Sequence, residues 1–263
     1  MKIKTVKIKN FRSYKNEVEI EFGNLTAFVG KNDIGKSTVL EALDIFFNDG
    51  KGVIKLDKDD VNKLALVEGD TETVISVCFE ELPANIIIDS TNQTTLQAEY
   101  LLNSSNQLEI IKKYSNAGKE RVFVKANHPT SDTCKDLLLK KNTELQKIIK
   151  DNAVTCSNQT INAVMRTSIW QHFIADLQLS EIEIDVTKGE TKSIWDKLQS
   201  YLPLYSLFQS DRKNSDGDDE VQDPLKEAVK QILNDATLKA KFEEIASEVK
   251  NKLQDVATRT LLK

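Results

Sequence analysis

Apolar and polar residues alternate with a period of two along the first part of the chain. "TVKIKN" (5–10) and "EVEIEF" (17–22) read as strands on either side of the polar turn "FRSYKN". "LTAFVG" (25–30) is a short apolar run ending in glycine and predicts a buried strand. From residue 37 the period lengthens. Val39, Leu40, Ala42, Leu43, Phe46 and Phe47 share one side of a helix over 37–47, which "NDGKG" stops. Strand patterning returns in "TVISVCFEEL", then in "LEIIKKY" and "RVFVKA", joined by the turn "SNAGKE".

The second half reads mainly as helix. Leu138, Leu145, Ile148 and Ile149 mark one over 132–150; Ile161, Val164, Met165, Trp170, Phe173 and Leu177 mark another over 160–178. A strand over 181–186, a short helix around Trp195 and the apolar strand "LYSLFQ" (204–209) follow. Residues 210–223, "SDRKNSDGDDEVQD", form an acidic loop too charged to bury. Beyond Pro224, Phe242, Ile245, Val249, Leu253 and Val256 step by three and four, an amphipathic helix and a candidate pairing surface. The pattern runs on to the last residue, so a continuation is expected. The division read here is a strand-rich lobe with a hairpin over 1–130 and a largely helical region over 131–263.

Composition adds exclusions. With 263 residues, 40% apolar and 29% charged, the chain resembles an ordinary soluble protein. No run approaches the ~18 apolar residues of a membrane helix, and "MKIKTVKIKN" lacks the continuous apolar stretch of a secretory leader. Cys78, Cys134 and Cys156 are far apart, which indicates neither a disulfide framework nor a zinc site. A reduced, cytoplasmic protein is expected, with no membrane partner. The net charge of −5 argues against a wholly nucleic-acid-binding surface, although residues 1–16 carry five lysines and Arg12 with no acid. DNA therefore stays open as a partner.

The chemistry is concentrated in "FVGKNDIGKST". Gly30, Gly35, Lys36 and Ser37 have the spacing of a phosphate-binding loop between a strand and a helix. Glycines let the backbone approach a phosphate, and the free N–H groups of the helix start favour negative charge. Lys36 is placed to reach the β- and γ-phosphates and Ser37 to offer its hydroxyl to Mg2+. Asp33 stands where many such loops have glycine. It tolerates left-handed backbone but adds a negative charge near phosphates.

A GTPase would carry NKxD, and neither NK of the chain, in "NKLA" at Asn62 and "NKLQ" at Asn251, has the aspartate. A small-molecule kinase would gather arginines in a lid, whereas Arg12, Arg121, Arg166, Arg212 and Arg259 are scattered. "VKIKNFRSYKNEVEIEF" followed by "LTAFVGKNDIGKSTVLEALDIFF" resembles the start of ABC-type ATPases of the SMC/RecF group. Within that group it most resembles the OLD (overcoming lysogenization defect) family of ATP-dependent nucleases. The resemblance is close over residues 1–50 and looser beyond, where "LYSLFQSDR" is similar to a strand-plus-arginine segment ending at Arg212. It implies an α/β P-loop fold of ABC/SMC type, with a mixed-sheet lobe, a P-loop helix and a largely helical region after it. It also implies that Arg12 lies beside bound ATP with Asn32, Gly35, Lys36, Ser37 and Thr38.

Such ATPases further need a Q-loop glutamine, a signature motif and a Walker B Asp-Glu pair. No LSGG-like stretch exists here. "NIIIDS" sets Asp89 after an apolar run, but Ser90 stands where the glutamate belongs; "EIEIDV" reads as a half-exposed strand. "LDKDD" (56–60) falls near a Q-loop position without glutamine and makes Asp60 a candidate Mg2+ neighbour. His128 and His172 are isolated and read as structural. The chain is thus expected to be an incomplete ATPase head. The resemblance implies a second ATPase subunit as partner and a C-terminal region bearing Walker B and a Toprim nuclease, acting in DNA processing or phage defence. Two alternatives stay open: a RecF/SMC-like structural module without nuclease, and a self-contained P-loop enzyme using Asp89.

Overall fold

The computed structural model describes residues 1–30, 35–50, 52–89, 92–187 and 191–207. The chain divides into a compact unit Met1–Tyr205 and a second, Ser206–Lys263, which lies almost wholly outside the described residues. The acidic loop, the C-terminal amphipathic helix, Arg212, Asn32 and Asp33 therefore fall outside the description.

A six-stranded sheet organises the first unit. Its strands are β1 (Lys2–Lys9), β2 (Val18–Glu21), β3 (Glu72–Glu80), β6 (Leu108–Ser115), β7 (Arg121–Pro129) and β8 (Leu179–Asp185), in the order β2-β1-β3-β6-β7-β8. Every pairing is antiparallel. Alternation sorts the two faces. Val6, Ile8, Ile75, Val77, Ile110, Val122 and Val124 are buried on one side, while Lys7, Glu109, Lys125 and Glu183 fall on the other. β8, the "EIEIDV" strand, forms an edge and is largely exposed, as its charge pattern predicts.

On the apolar face lies α1 (Lys36–Asn48), which buries Val39, Ala42, Leu43, Ile45 and Phe46 in the common core. Phe46 and Phe47 meet Phe79 of β3 at centroid distances of 6.5 and 6.1 Å. Each such side chain contributes roughly 1.5–3 kcal/mol through burial. The helix stops where the sequence predicts: Asp49 and Gly50 turn left-handed, at φ 50° and 66°.

The remaining elements surround this core. α2 (Lys63–Val67) precedes β3, and β4 (Ile86–Asp89) and β5 (Asn92–Thr94) make a separate two-stranded ribbon. α3 (Asn142–Asp151) packs on α4 (Asn162–His172), and α5 (Thr191–Gln199) packs on β4. Both long predicted helices come out shorter. The first begins only at Asn142, where the Glu144 carboxylate accepts the Lys141 N–H at 2.8 Å. The second ends at His172 and gives way to a 3-10 turn, Ile174–Asp176, before Gln178 turns left-handed into β8.

Two strand expectations are overturned. "LTAFVG" forms no strand, and Leu25 and Val29 are 91% and 93% exposed. The segment joins neither free edge of the sheet, β2 or β8, and of its apolar residues only Phe28 finds cover, edge-on against Phe22 at 5.9 Å. Without that strand the expected mixed sheet is antiparallel throughout. Residues 204–207 of "LYSLFQ" also form no strand; Tyr205 stacks on Phe47 and donates its hydroxyl to the Leu40 carbonyl at 2.7 Å.

Candidate functional site: the start of the P-loop helix

The turn between β1 and β2 is the foundation of the site. Asn10, fully buried and left-handed at φ 52°, donates to the carbonyls of Asp70 and Glu72 at 2.9 and 3.3 Å. Its side-chain oxygen accepts the Asn62 N–H at 3.1 Å, and its carbonyl accepts the Thr73 hydroxyl at 2.8 Å. Phe11 and Tyr14 exchange two 2.9 Å backbone bonds, closing the turn. The Arg12 carbonyl accepts from the Asn62 side chain at 2.6 Å, and its N–H donates to the Asp60 carbonyl at 2.6 Å. Two segments distant in sequence, residues 60–62 and 70–73, thus hold one short turn in place.

That turn carries the end of the loop. Gly35 precedes α1 at φ 92°, a conformation that favours glycine. A Cβ there would lie 2.7 Å from the Ser13 hydroxyl oxygen and 3.1 Å from that of Tyr14. Tyr14 also donates to the Gly35 carbonyl at 3.2 Å. The glycine is therefore demanded twice, by its backbone angle and by the turn packed against it.

α1 then opens with its N-terminal amides unclaimed by any side-chain cap, and its first turn has no acidic residue. Such an end attracts anions through free N–H groups and the helix dipole. The Lys36 ammonium donates to the Gly30 carbonyl at 2.7 Å, so the lysine spans the mouth of the loop between its two glycines. Ser37 is exposed at this end, while Thr38 is buried. These residues fit a phosphate group, with Lys36 as the cation and Ser37 as a hydroxyl for an accompanying Mg2+.

Arg12 lies on the flank of α1. Its Nε donates to an Asp60 oxygen at 2.7 Å, and its Nη1 pairs with Glu41, one turn along from Ser37, without a well-directed hydrogen bond. It also stacks over Phe11, 5.1 Å from the ring centroid. Asp60 closes a 3-10 turn, its second oxygen accepting the Asp57 N–H at 2.8 Å. Both Asp60 oxygens thus already have protein donors. The structure brings Arg12, Gly30, Gly35, Lys36, Ser37 and Asp60 into one neighbourhood through these contacts. Asp89, by contrast, sits in the β4–β5 ribbon, which pairs with no strand of the main sheet.

Sequence reasoning passed over several residues here. Ser13 and Tyr14 looked like surface turn residues, and nothing periodic marks them. Glu41 had a readable signal, four residues after Ser37 on the same helix face. Asp44 is fully buried in α1 and accepts from Asn48 at 2.9 Å and from the Ile54 N–H at 2.8 Å. It lies so close to Gly52 that a Cβ there would be 2.4 Å from its oxygen. The glycine read as a helix stop is a seat for this carboxylate.

A left-handed glycine, a helix start without a side-chain cap and a lysine reaching back to Gly30 are features that a P-loop nucleotide site requires. The AAA ATPase domain family matches residues 1–261, and the chain belongs to that family. Curated proteins gave no match. Among solved structures, the chain is similar to the SMC head domain from Thermotoga maritima, at 15% identity and TM-score 0.29, covering 76% of this chain and 72% of that one. It is also similar to a structure described as "Structural biochemistry of ATP-driven dimerization and DNA stimulated activation of SMC ATPases", at 15% identity and TM-score 0.33, covering 58% and 80%. Likenesses this slight carry no weight beyond the family. Among the described residues no helix is long and apolar enough to cross a membrane, and no cluster of His, Cys, Asp or Glu could hold a metal unaided.

Proposed function

We propose that residues 30–38 bind ATP with Mg2+ and that the chain is the ATP-binding part of an SMC-type ATPase head. The observation that carries this is the Lys36 ammonium on the Gly30 carbonyl, at the mouth of a helix whose first turn is uncapped and free of acids. When bound, the metal ion would neutralise phosphate charge. The chain's own residues would do the rest: backbone amides cradle the phosphates, Lys36 exchanges the carbonyl for a phosphate oxygen, and Ser37 faces the ion. Arg12 lies on the same flank, its charge shared between Asp60 and Glu41. Asp60 serves Arg12 first, so a role beside Mg2+ requires that pair to open.

The finer reading is an OLD-like protein, an ATP-dependent nuclease of DNA processing or phage defence. It rests on the sequence of residues 1–50, including the "NFR" turn, and the rigid seat that this turn provides for Gly35 supports treating turn and loop as one motif. On this reading the chain works paired with a second copy, and Walker B and Toprim functions come from another region.

Thermal unfolding with and without Mg-ATP tests the site. At a hundredfold excess over its dissociation constant, ATP stabilises the native state by roughly 2.7 kcal/mol. Lys36→Ala removes most of that shift and leaves the ligand-free protein folded, because the side chain reaches toward the loop and not into the core. An equal shift in both proteins overturns the assignment.

A further inference from the structure

We infer that Tyr14 is a positioning residue for the nucleotide site, acting through the Gly35 carbonyl. The inference rests on the P-loop reading above and assigns a role within it to a residue outside the loop motif. Gly35 occupies the position just before α1, so its carbonyl is the first to accept a helical hydrogen bond, from the amide of Val39. A carbonyl has two lone pairs. The Tyr14 hydroxyl takes the second, at 3.2 Å.

This bond fixes the direction in which the first turn of α1 sets out. The three amides that follow Gly35 are the ones a phosphate would meet, and their orientation follows from that of the Gly35 peptide. Tyr14 can impose an orientation because it is itself held. Its backbone is bonded both ways to Phe11, and the neighbouring turn is anchored through Asn10, Arg12 and Asn62 to residues 60–73. The ring also fills the space beside Gly35 that a side chain would need, with its Cζ 3.2 Å from an ideal Cβ. The turn thus acts on the loop by shape and by one directed bond. Preorganised donors bind more tightly because less order must be created on binding.

Tyr14→Phe keeps the ring and removes the bond. The test titrates a fluorescent ATP analogue with Mg2+ into wild type, Tyr14→Phe and Lys36→Ala, and measures the ligand-free melting temperature of each. Tyr14→Phe is expected to bind roughly three- to tenfold more weakly, the loss of one neutral hydrogen bond, with a ligand-free melting temperature within about 2 °C of wild type. Hydrogen exchange supplies a readout without ligand: the Val39 amide exchanges faster in Tyr14→Phe, and amides in the middle of α1 do not change. Wild-type affinity in Tyr14→Phe with binding lost in Lys36→Ala overturns the role of Tyr14 and leaves the site reading intact. A lowered melting temperature with unchanged affinity also overturns it, since that is what a merely structural contact does. Undiminished binding by Lys36→Ala overturns the P-loop reading and this inference with it.

Discussion

The ammonium of Lys112, on β6, donates to the Phe46 carbonyl at the far end of α1, at 2.7 Å. It also pairs with Asp49 just past the helix, and lies 5.2 and 5.5 Å from the ring centroids of Phe46 and Trp195. The lysine side chain is 1% exposed. A cation at a helix C-terminus is favourable both to the dipole and to the carbonyls left without helical partners. The 13-residue helix is therefore anchored at its C-terminal end by the sheet and presented at its N-terminal end to ligand.

Replacing that anchor tests the arrangement. Lys112→Met keeps the apolar stem, removes the donor from the Phe46 carbonyl and leaves Asp49 with only the Gln199 amide at 3.2 Å, so stability in urea falls by about 2 kcal/mol. The ATP site lies roughly 20 Å away along the helix, so affinity for the nucleotide stays within about twofold. A change in unfolding free energy below about 0.5 kcal/mol would show that the buried ammonium is not holding the helix.

A second buried pair lies under α4. Arg166 donates to both oxygens of Glu99, at 2.7 and 3.0 Å, with side-chain exposures of 2% and 0%. Thr94 donates to the same carboxylate at 3.0 Å. Removing one member strands a buried charge, so Arg166→Met costs about 3–5 kcal/mol. The double variant Arg166→Met/Glu99→Gln loses less than the sum of the two single losses, because no lone charge is left. Additive losses in the double-mutant cycle would argue that the two side chains do not act as a pair.

Acid acts first on His128 and then on paired carboxylates, Glu109 being the most buried of those held below their ordinary value. Burial lowers the pKa of His128, against the Tyr100 carbonyl 2.9 Å from its Nδ1 and the charge of Asp136, so the fold favours neutral imidazole. Its contribution is present above the ordinary value of 6.5 and is lost as pH falls from there through the depressed folded value. Burial pushes the Glu109 carboxyl up, but hydrogen bonds from Lys7 and Asn103 and the charges of Lys7 and Lys125 outweigh it, and its net shift is downward. That contribution is full above the ordinary 4.5 and disappears as pH falls below it. Stability measured against pH should therefore decline first below about 6.5 and again below about 4.5. Glu109→Gln lowers stability at pH 7 by about 1–2 kcal/mol and makes the second decline shallower, the remainder coming from Glu181 and Asp70, whose carboxyls are also held below their ordinary values by hydrogen bonds; a second decline of wild-type size in that variant would assign it wholly to those carboxylates.

How much of this was legible in the sequence depends on the range of the interaction. Residues that act on near neighbours could be read: the alternation of β1, β3, β6 and β7, the apolar side of α1, its stop at Asp49, and the glycine-lysine spacing of the loop. Nothing local marks Lys112, Arg166 and Glu99 as buried, because their partners lie more than sixty residues away. "FRSYKN" reads as a plain polar turn for the same reason, since Asn10 just before it and Arg12 within it draw on Asp60, Asn62, Asp70 and Thr73. "LTAFVG" misled in the opposite direction. Apolar residues make a strand only where a neighbouring edge accepts their hydrogen bonds, and local composition does not reveal that edge.

The site geometry leads to one further expectation, that residues 1–263 bind ATP and barely turn it over. Hydrolysis needs a carboxylate to activate or position the attacking water, and donors to stabilise charge on the γ-phosphate. Near the start of α1, the described carboxylates are otherwise engaged: Glu41 and Asp60 both face Arg12, and Asp60 also accepts the Asp57 N–H. Asp89 belongs to a ribbon outside the sheet that supports the helix. Phosphate release by purified, homogeneous protein should thus stay near the background of Lys36→Ala, even at ATP concentrations that saturate binding. Adding a region that supplies Walker B and a signature loop, in the same chain or as a partner, should raise it. Robust Lys36-dependent hydrolysis by residues 1–263 alone would refute the incomplete-site argument, and loss of that activity in Asp89→Asn would turn attention to the ribbon.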